Sequence, residues 1–207
     1  TILVIACLSI NILQAQRITE KHLNFSGNES IAFNISIADS IRVQTWNKNE
    51  VYVNASVNIN ENKDNEAYLI SFDESGNHVK VDANFSENYF KGKNSCCTET
   101  DIYWQVFIPE NVRFVLESIN ADITITGQTK EMKVSSISGF IDLALPEKQA
   151  ADIEFSTITG TIYSDHSFAI SGIHNKNRAL IREQLNKGGP LIKLETISGD
   201  IFFRKTG

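Results

Sequence analysis

Apolar and polar residues alternate with a period of two through most of the first half of the chain. Between Ile31 and Phe85 the alternation falls into short runs separated by turn-forming residues, a pattern typical of antiparallel strands with one buried face. Asp73 to Asn77 has the composition of a hairpin loop between two such runs. Pro109 ends a further alternating run, Ile102 to Ile108. We therefore expect a short-strand β region over residues 17–109.

The second half contains a unit that recurs about every 20 residues, a spacing that an ordinary sheet does not require. Each copy has Ser or Thr, an isoleucine, a small polar residue, Ala or Gly, a variable residue and a second isoleucine. The first isoleucines are Ile119, Ile137, Ile158 and Ile197, and the second are Ile123, Ile141, Ile162 and Ile201.

An apolar residue also stands three positions before each first isoleucine. Residues on one face of a straight strand are an even number of positions apart, so this step predicts a bend at the Ser or Thr of every copy. We expect the Ala or Gly to face the crowded inside of the bend, and both isoleucine columns to be buried between stacked copies. Each buried isoleucine would contribute roughly 1.5 to 3 kcal/mol only if a neighbouring copy covers it, so the copies should fold together.

These patterns predict an all-β fold. Residues 110–207 are expected to form a parallel β-helix-like solenoid, continuous with the short-strand region before it. The third and fourth copies are about two repeat lengths apart, so residues 166–190 either form one divergent coil or interrupt the stack. The composition of Ala179 to Leu185 is compatible with a short helix, but the alternation and the following Gly188-Gly189-Pro190 favour a strand and turn.

The repeats resemble a known family. The stretch from Gly188 to Ile201, together with Val134 to Leu143 and Leu116 to Ile125, resembles the bacterial putative-adhesin β-strand-repeat domain family, whose repeat style is shared by head domains of putative autotransporter adhesins. The resemblance covers about residues 31–205. It implies a β-helix-like envelope protein with a role in adhesion, and it brings no catalytic residues with it.

The beginning of the chain predicts export. The apolar run Ile2 to Leu13, followed by Gln14 to Gln16, has the length of a secretory signal core and its cleavage region, so residues 1–16 are expected to be a signal peptide. The run is too short to span a membrane, and no later segment could span one after cleavage. The protein would then be periplasmic, outer-membrane-associated or secreted. Alternatively, Val4 to Cys7 resembles a lipobox, which would make Cys7 the acylated residue of a lipoprotein.

The charge and the cysteine content limit the kinds of partner and of covalent link that we expect. The chain has 19 basic and 25 acidic residues, and no run of Lys and Arg forms a nucleic-acid patch, so we expect no nucleic acid partner. If Cys7 leaves with the signal peptide, only the adjacent pair Cys96 and Cys97 remains. This pair could form a vicinal disulfide in an oxidising compartment, or it could be an ordinary pair of loop residues.

Metal and cofactor sites are not expected. Asp122 and Asp200 occupy equivalent repeat positions, but Phe140 and Thr161 replace the acid in the other copies, whereas calcium needs six to eight oxygen ligands. The histidines stand at no zinc-ligand spacing. There is no nucleophile elbow, P-loop or dinucleotide fingerprint, so the sequence predicts a noncatalytic protein without a cofactor.

One loop is the candidate binding segment. Residues 86–101 lack apolar periodicity and are expected to form a long exposed loop. Within it, Tyr89 and Phe90 lie beside Lys91 and Lys93, a cluster that could bind a glycan or a protein because aromatic rings stack on apolar faces. The same aromatic residues could instead anchor the loop in the core.

The sequence therefore predicts an exported, noncatalytic envelope or surface protein, an adhesin or binding scaffold whose partner is an unknown protein or glycan at the cell surface. A carbohydrate-active enzyme on a β-helix is the alternative, and its nearest acids are Asp142, Asp152, Glu154 and Asp165. A further alternative is an envelope-stress sensor that acts through a partner.

Overall fold

The computed structural model describes residues 15–26, 30–74, 78–91, 98–166 and 179–206. These residues form fifteen strands and one short 3₁₀ helix, Asn65–Ala67, with no α-helix among them, so the predicted all-β class is confirmed. The first seven strands are β1 (Arg17–Asn24), β2 (Ser30–Ile35), β3 (Ile37–Trp46), β4 (Glu50–Ile59), β5 (Tyr68–Asp73), β6 (His78–Phe85) and β7 (Thr100–Pro109). The others are β8 (Arg113–Thr126), β9 (Glu131–Ser138), β10 (Ile141–Pro146), β11 (Ala151–Thr157), β12 (Ile162–Ser164), β13 (Ala179–Leu185), β14 (Leu191–Ser198) and β15 (Ile201–Thr206). A search of the described residues for a helix with the length and hydropathy of a membrane span found none.

All fifteen strands belong to one open sheet that bends into two layers. The long strand β8 shows the bend, because its first half pairs with β2 and β9 and its second half pairs with β3 and β10. The first layer has the order β5-β6-β2-β8-β9-β14-β11-β13. The second layer has the order β1-β4-β7-β3-β8-β10-β15-β12. Pairing is parallel in the middle of both layers and antiparallel at three of their four ends.

The two layers enclose one hydrophobic core. Alternate residues of the strands point inward, and the buried apolar side chains form a single cluster that takes members from both layers. Phe155 of the first layer meets Phe203 of the second, with ring centroids 5.1 Å apart. At the other end, the Tyr68 hydroxyl on β5 donates a 2.7 Å hydrogen bond to the Ile37 carbonyl on β3. These contacts show that the layers face one another.

A first-layer strand and the second-layer strand that follows it form a unit that we call a rung. The rungs stack in the order β2–β3, β8, β9–β10, β14–β15 and β11–β12, so the last rung in the sequence lies between two earlier ones. Ile201 of β15 pairs with Ile141 on one side and Ile162 on the other. The stack therefore does not follow sequence order.

The additional strand β13 explains the long spacing before the fourth copy. The described end of segment 166–190 leaves the stack as β13, which runs antiparallel along β11 at the edge of the first layer. The predicted strand from Ala179 to Leu185 is confirmed. The chain then turns at residues 186–190 and returns as β14, on the opposite side of β11.

Strands β2 and β3 form an additional rung that the sequence motif did not identify. Ile31 pairs with Phe114, and Ile41 pairs with Ile123, so both strands share the register of the later copies. Ser36 takes the place of the first isoleucine, and an irregularity between Ile37 and Ser40 shifts the register. The prediction of antiparallel strands throughout residues 31–85 is therefore wrong for β2 and β3, because both strands pair with parallel neighbours on each side while the facing layer covers their apolar faces.

Only one of the two predicted isoleucine columns is buried. Ile123, Ile141 and Ile201 have no exposed surface, and Ile162 in the end rung is partly buried. The first isoleucines of the repeat are half exposed, and the Ser or Thr before each of them is buried instead: Ser118, Ser136, Thr157 and Thr196. The bend therefore lies one step later than predicted. Both residues that follow the Ser or Thr face outward before the chain turns inward again at Ala or Gly.

The small residue inside the bend is required for packing, as predicted. A Cβ atom on Gly199 would overlap the Gly139 carbonyl, and one on Gly160 would overlap the Gly199 carbonyl. Gly139 in turn abuts the Ala121 carbonyl and has a φ of +93°. Only a residue without a side chain fits where the backbones of neighbouring rungs approach this closely.

Candidate binding surface

Four exposed isoleucines line the outside of the bend in neighbouring rungs. In spatial order they are Ile119, Ile137, Ile197 and Ile158, with relative exposures of 51%, 48%, 46% and 50%. We call this row the isoleucine ladder. Adjacent strands are about 4.8 Å apart, so the ladder is about 14 Å long. A contiguous row of exposed large apolar side chains is informative, because isolated exposed residues are common whereas patches mark interaction sites.

The backbone at the bend explains why these isoleucines point outward. The small hydroxyl side chain before each one fits inside the bend, where it can bond to carbonyl groups. Ser136 Oγ lies 2.6 Å from the Ser138 carbonyl, and Thr157 Oγ1 donates to the Gly199 carbonyl at 2.9 Å. Local bonds of Ser and Thr side chains to the backbone are typical of such irregular positions. The next residue in the strand must then face solvent.

An open groove runs beside the ladder on its first-layer side. One stretch is lined by Asn34, Ser36, Glu117, Ser118, Ile119 and Ser135. The other is lined by Ser118, Ser135, Ser136, Ile137, Ser156, Ile158, Glu195, Thr196 and Ile197. Because the two stretches share Ser118 and Ser135, the groove is continuous along the ladder. It has an apolar wall and a floor of hydroxyl groups.

One hydroxyl group in this floor has no hydrogen-bond partner within the part of the chain that the structure describes. Thr196 is 4% exposed, and its Oγ1 atom is buried and unpaired. A buried hydroxyl without a partner loses its bonds to water and receives nothing in exchange. The groove therefore offers one unsatisfied polar atom beside its apolar wall.

Acidic side chains border the ladder on both sides. On the groove side, Lys133 Nζ lies 3.1 Å from Glu117, and Lys193 Nζ lies 3.2 Å from Glu195. On the other side the acids are Asp122 and Asp200, three residues after Ile119 and Ile197.

Asp122 and Asp200 have no basic partner among the described residues. Each carboxylate accepts a hydrogen bond from the backbone N–H of a neighbouring rung: Phe140 N is 3.4 Å from Asp122, and Thr161 N is 2.8 Å from Asp200. Only the rung that contains Phe140 separates the two acids, so their spacing is about 10 Å. That is too far apart for shared ligation of one calcium ion. The second-layer side of the ladder therefore carries two acids that form no ion pair with a described residue.

The predicted binding loop is anchored at Tyr89. Tyr89 is 7% exposed, and its ring stacks on Phe85 with centroids 5.1 Å apart. Its hydroxyl donates to Asp64 at 2.9 Å and accepts from Asn60 Nδ2 at 3.1 Å. Tyr89 therefore anchors the loop in the core, as the alternative prediction for these aromatic residues stated.

The other predicted loop residues are either exposed or outside the described part of the chain. Phe90 is 40% exposed and packs against Phe85 and Tyr89, and Lys91 is exposed. Lys93, Cys96 and Cys97 lie outside the described residues. The binding role of this loop and the vicinal disulfide stay predictions.

The acids considered for an enzyme lie in different surroundings. Asp142 pairs with Arg204 at 2.9 Å. Glu154 pairs with Lys193 and Arg182, whose hydrogen bonds lower the pKa of its carboxyl group. A general acid at neutral pH needs a raised pKa instead. Among the residues that the structure describes, no group of three or more His, Cys, Asp or Glu side chains could hold a metal ion.

The isoleucine ladder could have been found by counting parity from both ends of the repeat. Phe114, Leu116 and Ser118 share one parity, and Ala121, Ile123 and Ile125 share the other. The two residues between these sets must both face outward, because each set points into the core. Parity counted from the second isoleucine alone places the first isoleucine inside, because the two are four positions apart.

Comparison with known proteins supports the fold. No protein-family model matches the chain, and no curated protein matches its sequence. The structure is similar to that of a putative cell adhesion protein from Clostridium sporogenes, with a TM-score of 0.57 and 12% identity over 93% of this chain and all of that one. At this identity the similarity concerns the fold, and it supports the predicted structural relationship to putative adhesins.

Two further solved structures are more distant. A putative adhesin from Parabacteroides merdae gives a TM-score of 0.25 at 6% identity, over 90% of this chain and 96% of that one. A putative adhesin from Parabacteroides distasonis gives 0.25 at 10% identity, over 92% of this chain and 98% of that one. Structural agreement at this level is too low to argue from.

Proposed function

We propose that this chain is an exported, noncatalytic surface protein of the adhesin type, which binds a partner through the isoleucine ladder and its groove. The observation that carries the proposal is the half-exposed isoleucine in each of four neighbouring rungs. The first rung, whose bend is one residue longer, has Ser36 at this position, so the exposed isoleucine is specific to the other four rungs. A repeated apolar side chain that the fold does not need is best explained by contact with another molecule.

The form of the surface supports binding over catalysis. The groove is open and hydroxyl groups form its floor, so it offers an extended contact surface rather than the enclosed pocket that holds a small substrate. Repeated rungs supply a long contact surface, which is the usual use of stacked repeats in recognition. The similarity in fold to the putative cell adhesion protein from Clostridium sporogenes is consistent with this role.

Export and architecture complete the proposal. The apolar segment in residues 1–16, which lies outside the described residues except for its last two, would direct the chain to the periplasm, the outer membrane or the exterior. Acylation at Cys7 would anchor it instead. We further propose that the rungs wind as a flattened β-solenoid, since residues 127–130 connect β8 to β9 and residues 147–150 connect β10 to β11, in both cases from the second layer back to the first.

The experiment that tests this function compares four forms of the purified protein on arrays of glycans and envelope proteins. The first is the wild type, and the second carries Ile137→Thr and Ile197→Thr, which keep the β-branched shape but shorten two ladder side chains. The third is the control Leu69→Thr, at an apolar residue on β5 that is 55% exposed. The fourth form carries Phe90→Ser and Lys91→Ser, which test the loop and leave the buried anchor Tyr89 in place.

Saturable binding that the ladder variant loses and the Leu69→Thr control retains would support the proposal. Binding lost only with the loop would move the site to Phe90 and Lys91. Turnover of a polysaccharide by the wild type would contradict the noncatalytic function, and would direct attention to the alternative carbohydrate-active enzyme.

A further inference from the structure

The spacing of the isoleucine ladder discriminates between kinds of polypeptide that could lie along it. Four side chains in steps of about 4.8 Å span about 14 Å. An extended strand places same-face side chains about 6.8 Å apart, so its side chains would not align with those of the ladder. An α-helix with apolar residues alternately three and four positions apart presents four of them over about 15 Å. The helix therefore matches the ladder closely.

The acidic borders have a spacing that also fits a helix. Asp122 and Asp200 lie two rungs apart, about 10 Å, and the same is true of Glu117 and Glu195 on the other border. Residues seven positions apart on a helix lie on one face and are about 10.5 Å apart. Same-face positions of a strand come at about 6.8 and 13.6 Å, which miss this distance.

We propose that the isoleucine ladder is the docking site for a short amphipathic α-helix of a partner protein. The helix presents a stripe of apolar residues to the ladder and carries Lys or Arg seven positions apart, facing Asp122 and Asp200. This inference rests on the proposed function, because it names the partner of the same surface. Docking of an apolar helix face in a groove is an established mode of peptide recognition.

The charges of the site argue for a basic helix. Asp122 and Asp200 form no ion pair with a described residue, whereas Glu117 and Glu195 are already paired with lysines. A helix with basic flanks would supply the missing countercharge on the second-layer side. An anionic membrane surface would be repelled by the same two carboxylates. A second copy offers no α-helix among its described residues.

Two displayed peptide libraries test the proposal on the intact protein. In one, apolar residues are fixed at helical spacing, and in the other they alternate as in a strand; all remaining positions sample Lys, Arg, Glu and Ser. Each library is selected on the wild type and depleted on the Ile137→Thr/Ile197→Thr variant. The expected result is enrichment from the helical library, with Lys or Arg recurring seven positions apart.

The affinities of the selected peptides for further variants then measure the contribution of the charged border separately from that of the ladder. Asp122→Asn with Asp200→Asn should weaken binding about three- to tenfold, since two exposed ion pairs are lost. Glu20→Gln, at an exposed acid on β1, four strands away from β8, should leave it unchanged. Enrichment from the strand library, enrichment of acidic helices, or indifference to the Asp122/Asp200 change would overturn the proposal.

Failure of the helix proposal can be distinguished from failure of the proposed binding function. If array binding depends on the ladder but neither library is enriched, the ladder is a binding surface whose occupant is not a helix. If the ladder variant binds array partners as the wild type does, the proposed function fails first. Binding of anionic vesicles that the ladder variant loses would identify lipid as the occupant and would also reject the helix.

Discussion

The two isoleucine columns of the repeat have the same residue type and lie four positions apart, yet their surroundings are opposite. Ile141 is completely buried, whereas Ile137 is 48% exposed. Between them the backbone turns at Gly139, so strand parity is reset within each copy. The comparison teaches that the motif contains two different requirements: the second isoleucine fills the core, and the first is available for another molecule.

The largest expected difference between the columns comes from a buried charge. Ile141→Asp should abolish folding or remove most of the stability, because an unpaired buried carboxylate costs several kcal/mol against a total of about 5 to 15 kcal/mol. Ile137→Asp should change the free energy of unfolding by less than about 1 kcal/mol, since its side chain reaches water. Urea unfolding of both variants measures this. Wild-type-like unfolding of Ile141→Asp would show that the inward register is wrong.

The next effect concerns the small residue between the columns. Gly199→Ala should destabilise the protein by about 2 to 3 kcal/mol, because the new Cβ would overlap the Gly139 carbonyl in the neighbouring rung. Ser198→Ala, at the exposed position just before it, should cost less than about 0.5 kcal/mol. Thermal and denaturant unfolding of this pair give the comparison. Equal stability of the two variants would contradict the close approach of the rungs.

A smaller contrast separates two threonines inside the bend. Thr157 Oγ1 donates to the Gly199 carbonyl and accepts from Gly160 N, so Thr157→Val should cost about 1 to 3 kcal/mol. Thr196 Oγ1 has no described partner, and Thr196→Val should therefore be neutral or stabilising by up to about 1 kcal/mol. The free energies of unfolding of the two variants are the measurement. A substantial loss with Thr196→Val would reveal a bond that this hydroxyl makes in solution.

The smallest effect is expected from pH at the end of the stack. His166 is buried against Phe203, with ring centroids 4.2 Å apart, and desolvation lowers the pKa of its imidazole below the ordinary value. The unfolded chain therefore binds a proton more readily, so this part of the stability is complete above the unfolded pKa of about 6.5 and declines as pH falls through that value towards the lower folded pKa.

The measurement is the difference in unfolding free energy between the wild type and His166→Phe at pH 5 and pH 8. The wild type should lose more stability than the variant on acidification, since phenylalanine keeps the ring contact without a titrating group. A larger loss in the variant would reverse the assigned sign.

Much of the fold follows from local pattern. The strand ending at Pro109, the pairing of β5 with β6, the strand from Ala179 to Leu185 and the need for Gly or Ala at the bend were all predicted correctly. Each depends on parity, turn chemistry or the space beside one backbone, which short stretches of sequence determine. The match of Ile123 with Ile141 also follows from the repeat itself.

The order of the rungs could not be predicted in the same way. Any copy can pair with any other in the same register, so local periodicity contains no signal that β14 lies between β9 and β11. The rung β2–β3 was missed because Ser36 and an irregular step replace the motif. For the site, a parity count from both ends of the repeat predicts the row of exposed isoleucines. The groove, in contrast, depends on rung order and required the structure.

The insertion of β14–β15 has a consequence for how the protein is made. Until residues 191–206 are synthesised, β9 and β11 lack the strand that lies between them, and so do β10 and β12. A nascent chain would expose unpaired parallel edges, which are templates for association with other chains. Long-range pairing of this kind is also slow to form. Export machinery or chaperones that hold the chain extended until those residues arrive would therefore protect it from joining the wrong neighbour.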